Sequence, residues 1–170
     1  MVTTVACPAT RPTLSLGSTS TVTGAVGQLQ QAVNARLSVL GAPGALTLVV
    51  DGNFGAKTLK AVKYIQCVAF LAIDGMVGPM TWNYICNGEN SLPIISRMSP
   101  NPNGQMIKEV QRILKADGYY AGTLDGIFGF QTEAAVKLYQ KDSFLVQDGI
   151  VGPTTWMNLV LRKVSGGSCS

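Results

Sequence analysis

The sequence predicts an all-α protein: two tandem three-helix bundles joined by a Pro/Asn-rich linker. Three observations predict it. A gapless internal repeat runs through both halves, Asp-Gly and Gly-Pro pairs punctuate each copy at matching places, and apolar residues recur at helical spacing.

Residues 51–82 align without a gap on residues 125–156 at a constant offset of 74, with 18 of 32 pairs identical. The identical set is dominated by turn and core types: Asp51/Asp125, Gly52/Gly126, Phe54/Phe128, Gly78/Gly152, Pro79/Pro153 and Trp82/Trp156 among them. Upstream, Val33 and Leu37 pair with Val110 and Leu114 at an offset of 77, which gives the first copy about three extra residues before its Asp-Gly. The resulting map is a flexible tail over 1–22, a first module over 23–88, a linker over 89–102, a second module over 103–163 and a Gly/Ser tail over 164–170. Pro, Asn, Ser and Gly mark the linker.

Within the second copy, Ile107, Val110 and Leu114 carry the first helix, with Lys108, Arg112 and Lys115 facing solvent. It stops near Asp117-Gly118. Asp125-Gly126 then makes a tight turn in which glycine accepts positive φ. The second helix runs from about Gln131 to Asp142, with Val136 and Tyr139 on its inner face. A further turn at Asp148-Gly149 leads to Gly152-Pro153, where proline suits the first helical position, and the third helix ends near Leu161. A unit of ~60 residues buries only about 60% of its chain surface, so large anchors matter. Trp82 and Trp156 are expected at the two centres, with Phe54, Phe70, Phe128 and Phe144 closing the loops over them.

Composition narrows the function. The chain has 170 residues, 46% apolar and 13% charged, with net charge +4 and no histidine. Without histidine, Ser-His-Asp and Cys-His catalysis and most zinc sites are excluded. Net charge is +2 in residues 1–90 and +2 in 91–170, with no basic stripe interleaved with aromatics, so nucleic acid is not expected as a partner. The longest apolar run, Val68 to Ile73, is far short of the ~20 residues a membrane span needs, so a soluble chain is expected. Residues 1–12 lack the basic and apolar regions of a secretory signal.

Cys7, Cys67, Cys86 and Cys169 allow three pairings, and none has the close spacing of a metal knuckle, so neither a metal nor another cofactor is expected. Cys67 and Cys86 lie on consecutive expected helices and could bridge, with Cys7 and Cys169 tying the tails. Cys67 could equally be a small buried apolar side chain.

The stretches "DGIFGFQTEAAVKLYQ" and "DGIVGPTTW", with their first-copy counterparts, resemble the peptidoglycan-binding domain family of three-helix modules found on cell-wall hydrolases. The resemblance covers about 125 of the 170 residues. It implies non-catalytic adhesion to the wall polymer, glycan or stem peptide, and an extracellular or wall-associated location. The ligand candidates are Tyr119, Tyr120, Asp125, Thr132 and Gln140, with Asp51, Thr58 and Gln66 as first-copy equivalents. Asp51 and Asp125 could instead hold their own turns, and Thr58 and Thr132 the starts of their helices. The first copy lacks counterparts of Tyr119 and Tyr120, so binding is expected first of the second copy.

Carboxylate-pair hydrolysis would need Glu89, Glu109 or Glu133 with an aspartate, and none sits in a cleft motif; Glu89 falls in the linker. The chain is therefore not expected to be an enzyme. An alternative role is a structural or attachment subunit of a phage virion or contractile injection particle. Thin charge fits it, because interface cores are depleted of charged residues.

Overall fold

The computed structural model describes residues 6–99, 103–167 and 169. Among them the secondary structure is helical: α1 (Ala25–Val39), α2 (Ala56–Val68), α3 (Pro79–Asn87), α4 (Gly104–Ala116), α5 (Phe130–Asp142) and α6 (Pro153–Ser165), with short 3-10 turns at Gly44–Leu46 and Gly88–Ser91. The remaining extended pairings are isolated antiparallel bridges. The chain divides into two compact units, Met1–Ser91 with Lys163–Ser170, and Leu92–Arg162.

Each unit is built around its tryptophan. Trp82 is fully buried in the first unit, among a core that includes Leu29, Val62, Ile65 and Ile85. Trp156 is fully buried in the second, in a core with Ile107, Val110, Leu114, Val136 and Leu159. Burying roughly 200 Å² of indole at about 25 cal/mol per Å² contributes on the order of 5 kcal/mol before entropy is counted. The helices α2, α3 and α5 start alike, after a glycine N-cap in extended conformation with no side-chain cap (Gly55, Gly78 and Gly129). Of α1 to α5, α4 alone has a side-chain cap, where the Met106 N–H donates to Asn103 Oδ1 at 3.3 Å.

The segment expected as a flexible tail is packed over residues 7–20. Leu14 is buried and exchanges backbone hydrogen bonds with Val77 at 3.3 and 2.8 Å. The indole N–H of Trp82 donates to the Pro12 carbonyl at 2.8 Å. The expected linker repeats the device in the second unit: Ile95 is buried, exchanges backbone bonds with Val151 at 3.1 and 2.9 Å, and the Trp156 indole donates to the Pro93 carbonyl at 2.8 Å. Both stretches read as irregular because Pro, Ser and Thr suit an extended strap as well as a free connector. Glu89, expected in that linker, is also buried and accepts the Tyr84 hydroxyl at 2.9 Å. Beside it lies buried Arg36, whose Nε donates to the Ile85 carbonyl at 2.9 Å.

The straps reveal the true register of the repeat. Pro12 and Pro93, and Leu14 and Ile95, are 81 apart, and so are the buried helix positions Val26 and Ile107, Leu29 and Val110, and Val33 and Leu114. The offset of 77 expected from Val33 and Leu37 is therefore off by four, one helical turn. A shift of four keeps the same face inward, so apolar periodicity cannot distinguish the two registers. The first copy has seven extra residues, since 18 positions separate Val33 from Asp51 and 11 separate Leu114 from Asp125. They lengthen α1 and form the 3-10 turn at Gly44–Leu46, pinned where Asn34 exchanges side-chain hydrogen bonds with the Leu48 backbone at 2.9 and 2.8 Å.

Two further expectations are corrected. The disulfides are Cys7–Cys86 and Cys67–Cys169, not Cys67–Cys86. Each helix cysteine meets a terminal segment, and pairing depends on which Cα atoms come within bridging distance, here 5.8 Å in both cases, not on helix order. Phe54, Phe128 and Phe70 are buried as expected, but Phe144 is 97% exposed. Phe70 and Phe144 both adopt left-handed backbone, φ 60° and 56°, at the end of their helices. In each, the following residue closes a 6→1 hydrogen bond, Leu71 to Gln66 at 2.9 Å and Leu145 to Gln140 at 2.8 Å. The difference is cover. The Lys163 ammonium sits 4.4 Å from the Phe70 ring centroid and donates to the Cys67 carbonyl at 2.7 Å, next to the Cys67–Cys169 bridge.

Candidate functional site

The octet D-G-x-[FV]-G-x-x-T occurs four times, at 51–58, 74–81, 125–132 and 148–155, and each occurrence closes around a buried glutamine. Around Gln111, the side-chain amide donates to Asp125 Oδ1 at 2.8 Å, the Ile127 carbonyl at 3.1 Å and Thr132 Oγ1 at 3.1 Å. Its Oε1 accepts the Gly126 N–H at 3.0 Å. Gln140 does the same with Asp148, Ile150, Thr155 and Gly149. In the first unit, Gln66 serves Asp74, Met76, Thr81 and Gly75, while Gln30 serves Asp51, Asn53, Thr58 and Gly52. One primary amide thus serves a whole turn, its two N–H groups shared among three acceptors and its oxygen taking the glycine N–H.

Each part of the octet has a physical task. The aspartate caps its own turn, as where the Ile127 N–H donates to Asp125 Oδ1 at 2.9 Å. The second residue must be glycine, with φ 76° at Gly52 and Gly126, and a Cβ there would lie 2.2 Å from the Ser20 carbonyl oxygen or 2.6 Å from that of Gly104. The threonine is the third helical residue and donates back to the turn carbonyl, 3.2 Å for Thr132 to Ile127. The Gln30 amide and the Asn53 N–H hold the Asp51 carboxyl below the usual range, and the Gln111 amide and the Ile127 N–H do so for Asp125.

This placement separates the ligand candidates. Thr58, Thr132, Gln66 and Gln140 are at most 2% exposed, and their polar atoms are engaged within the nodes. Asp51 and Asp125 lie at the surface, each with one oxygen committed to its turn. Tyr120 is buried, donating to the Thr123 carbonyl at 2.8 Å and accepting from Gln111 at 3.3 Å. Tyr119 is half-buried, stacked edge-on against Tyr139 at 5.7 Å, and donates to Asp142 Oδ2 at 3.1 Å. Its partial burial, and then the Asp142 carboxylate, push the Tyr119 phenol above its usual value. Gln140 also reaches the floor of a groove of about 270 Å³ whose rim includes Val146, Asp148, Ile150 and Thr154.

Gln30 and Gln111 are node residues that sequence reading missed. Gln66 and Gln140 each precede their Asp-Gly by eight residues, but the corresponding spacings from Gln30 and Gln111 are 21 and 14, because the intervening loops differ in length. Two of the three glutamates considered for hydrolysis are in ion pairs, Glu109 with Arg112, and Glu133 with Lys137 at 2.8 Å and Arg97 at 2.7 Å, while Glu89 is buried and accepts the Tyr84 hydroxyl.

Fold and nodes define a class: tandem three-helix modules, each closed by two glutamine-centred Asp-Gly turns. The family described as "Putative peptidoglycan binding domain" matches residues 23–85 and 103–159, and the chain belongs to that family. It is 33% identical over 120 residues to the N-acetylmuramoyl-L-alanine amidase CwlM of Mycobacterium tuberculosis, covering 68% of this chain and 30% of that protein. It is 33% identical over 122 residues to a probable N-acetylmuramoyl-L-alanine amidase of Bacillus licheniformis, covering 62% and 34%. It is 38% identical over 98 residues to a spore cortex-lytic enzyme of Bacillus cereus, covering 58% and 36%. The chain spans about a third of the length of these curated relatives. No solved structure matches it. Among the described residues, no helix is long and apolar enough to cross a membrane.

Proposed function

We propose that the chain binds bacterial cell-wall peptidoglycan without cutting it, and that its two modules anchor or target whatever carries them to the wall. The family match in two separate segments carries this reading. The nodes support it, because the residues most alike between the copies, such as Gln140, Thr132 and Thr155, are engaged in holding turns. The relatives are named as amidases and cortex-lytic enzymes, and the shared part is a third of each. Two disulfides favour an oxidising, extracytoplasmic setting.

Sedimentation with purified sacculi tests the binding, and a zymogram on wall-containing gels tests the absence of cleavage. Co-sedimentation without a lysis band is expected; a band would overturn the non-catalytic reading. Exposed Phe130, Phe144 and Val146 favour a second reading, an attachment or assembly subunit of a larger particle. A multimer on size exclusion that ignores sacculi would decide for it.

A further inference from the structure

We propose that a groove on the first unit is a receptor for a carboxylate-bearing, methyl-rich peptide, and hence that this unit grips the stem peptides of the wall and not its glycan. The proposal rests on the wall-binding reading. The groove has a volume of about 340 Å³. Ala56, Leu59, Ile73 and the Cys67–Cys169 bridge supply apolar walls, and Lys60 and Lys63 supply charge. Leu59 and Lys63 lie against the turn at Gly75, where a Cβ would meet Leu59 Cδ1 at 2.3 Å and Lys63 Cε at 3.2 Å.

Among the described residues the charge is uncompensated. Helix α2 contains Lys57, Lys60 and Lys63 and no acidic residue, and none of the three is in an ion pair with a described residue. Lys57 stands in the first turn, where the helix dipole disfavours a cation, so the arrangement does not serve helix stability. Asp74, beside Ile73, is occupied by the Gln66 amide and the Met76 N–H. The second unit shows what a neutral version looks like. There the same positions hold Gln131, Ala134 and Lys137, Glu133 replaces Leu59, and Lys137 and Arg97 both pair with Glu133. The two units therefore differ in charge at equivalent places, and among the described residues it is the lysines of the first that lack an anionic partner.

The lining selects the ligand. A sugar ring stacks on an exposed aromatic face, and the groove's one aromatic, Tyr64, is 7% exposed. Small apolar walls beside two ammonium groups instead match alanine-type methyls next to carboxylates.

The test uses the full chain and Lys60→Gln/Lys63→Gln, with Lys137→Gln as the second-unit control. Three probes are used: intact sacculi, glycan strands stripped of peptide by an amidase, and a synthetic peptide of alanine and glutamate with free carboxylates. The expected result is that the wild type and Lys137→Gln bind sacculi and peptide, that stripped glycan retains neither, and that the double variant binds the peptide about tenfold more weakly. Circular dichroism of the double variant should match the wild type, since both lysines are exposed. Sacculus binding combined with no peptide binding, with undiminished peptide binding by the double variant, or with equal retention on stripped glycan would overturn the groove and leave the wall-binding reading standing. If the wild type ignores sacculi, the wall-binding reading falls and the groove with it.

Discussion

The Gln111 side chain holds two adjacent residues of one turn: its amide donates to Asp125 at 2.8 Å while its carbonyl accepts the Gly126 N–H at 3.0 Å. The Gly126 N–H is buried, and a module this small has little else with which to fix the loop between its first two helices.

Replacing Gln111 by Leu keeps the volume but strands a buried N–H and deprives Asp125 of its amide partner. A loss of about 3 kcal/mol in urea-unfolding stability is expected. A loss below about 0.5 kcal/mol would show that water replaces the node.

Acid should weaken the same turns. The folded-state pKa values of Asp51 and Asp125 are depressed, so their contribution is complete above the ordinary aspartate value of about 4 and disappears as pH falls through the lower folded value. Asp51→Asn/Asp125→Asn should therefore give a flatter stability curve below about pH 4. Urea midpoints measured between about pH 2 and 6 check it, and parallel curves for variant and wild type would contradict it.

Phe70 and Phe144 share a left-handed backbone and differ in burial, 2% against 97% exposed. Phe144→Gly relieves strain of about 1 kcal/mol and should be neutral or stabilising. Phe70→Gly relieves the same strain but empties a buried site, and should cost about 2 kcal/mol or more. Thermal melts should fall for Phe70→Gly and stay level or rise for Phe144→Gly.

The disulfides span sequence separations of 79 and 102. Chain-entropy reasoning gives about 4 to 5 kcal/mol for each. Reduction should lower the melting temperature sharply, and non-reducing peptide mapping should recover Cys7 with Cys86 and Cys67 with Cys169. A Cys67–Cys86 peptide would contradict the fold of the first unit.

The straps make a parallel case. Deleting residues 8–19 removes the Pro12 acceptor of the Trp82 indole and the Leu14 partner of Val77 and leaves Cys7 in the chain. The expected outcome is a destabilised first unit, read as loss of protection at Trp82 Nε1 in hydrogen exchange, with Trp156 Nε1 unchanged.

From its amino-acid order alone, the chain determined that it is helical, duplicated, turned at Asp-Gly and centred on Trp82 and Trp156. Those features depend on neighbours a few residues apart, where glycine's access to positive φ and the 3.6-residue period act directly. Tertiary structure decided the rest. It set the correspondence of α1 with α4, because a four-residue slip leaves the same face apolar, and the straps and the Gln30 and Gln111 nodes discriminate. It chose the cysteine pairs, turned two irregular stretches into straps, and buried Phe70 while baring Phe144. Each of these depends on atoms distant in sequence arriving within bonding distance, and neither spacing nor composition records that proximity.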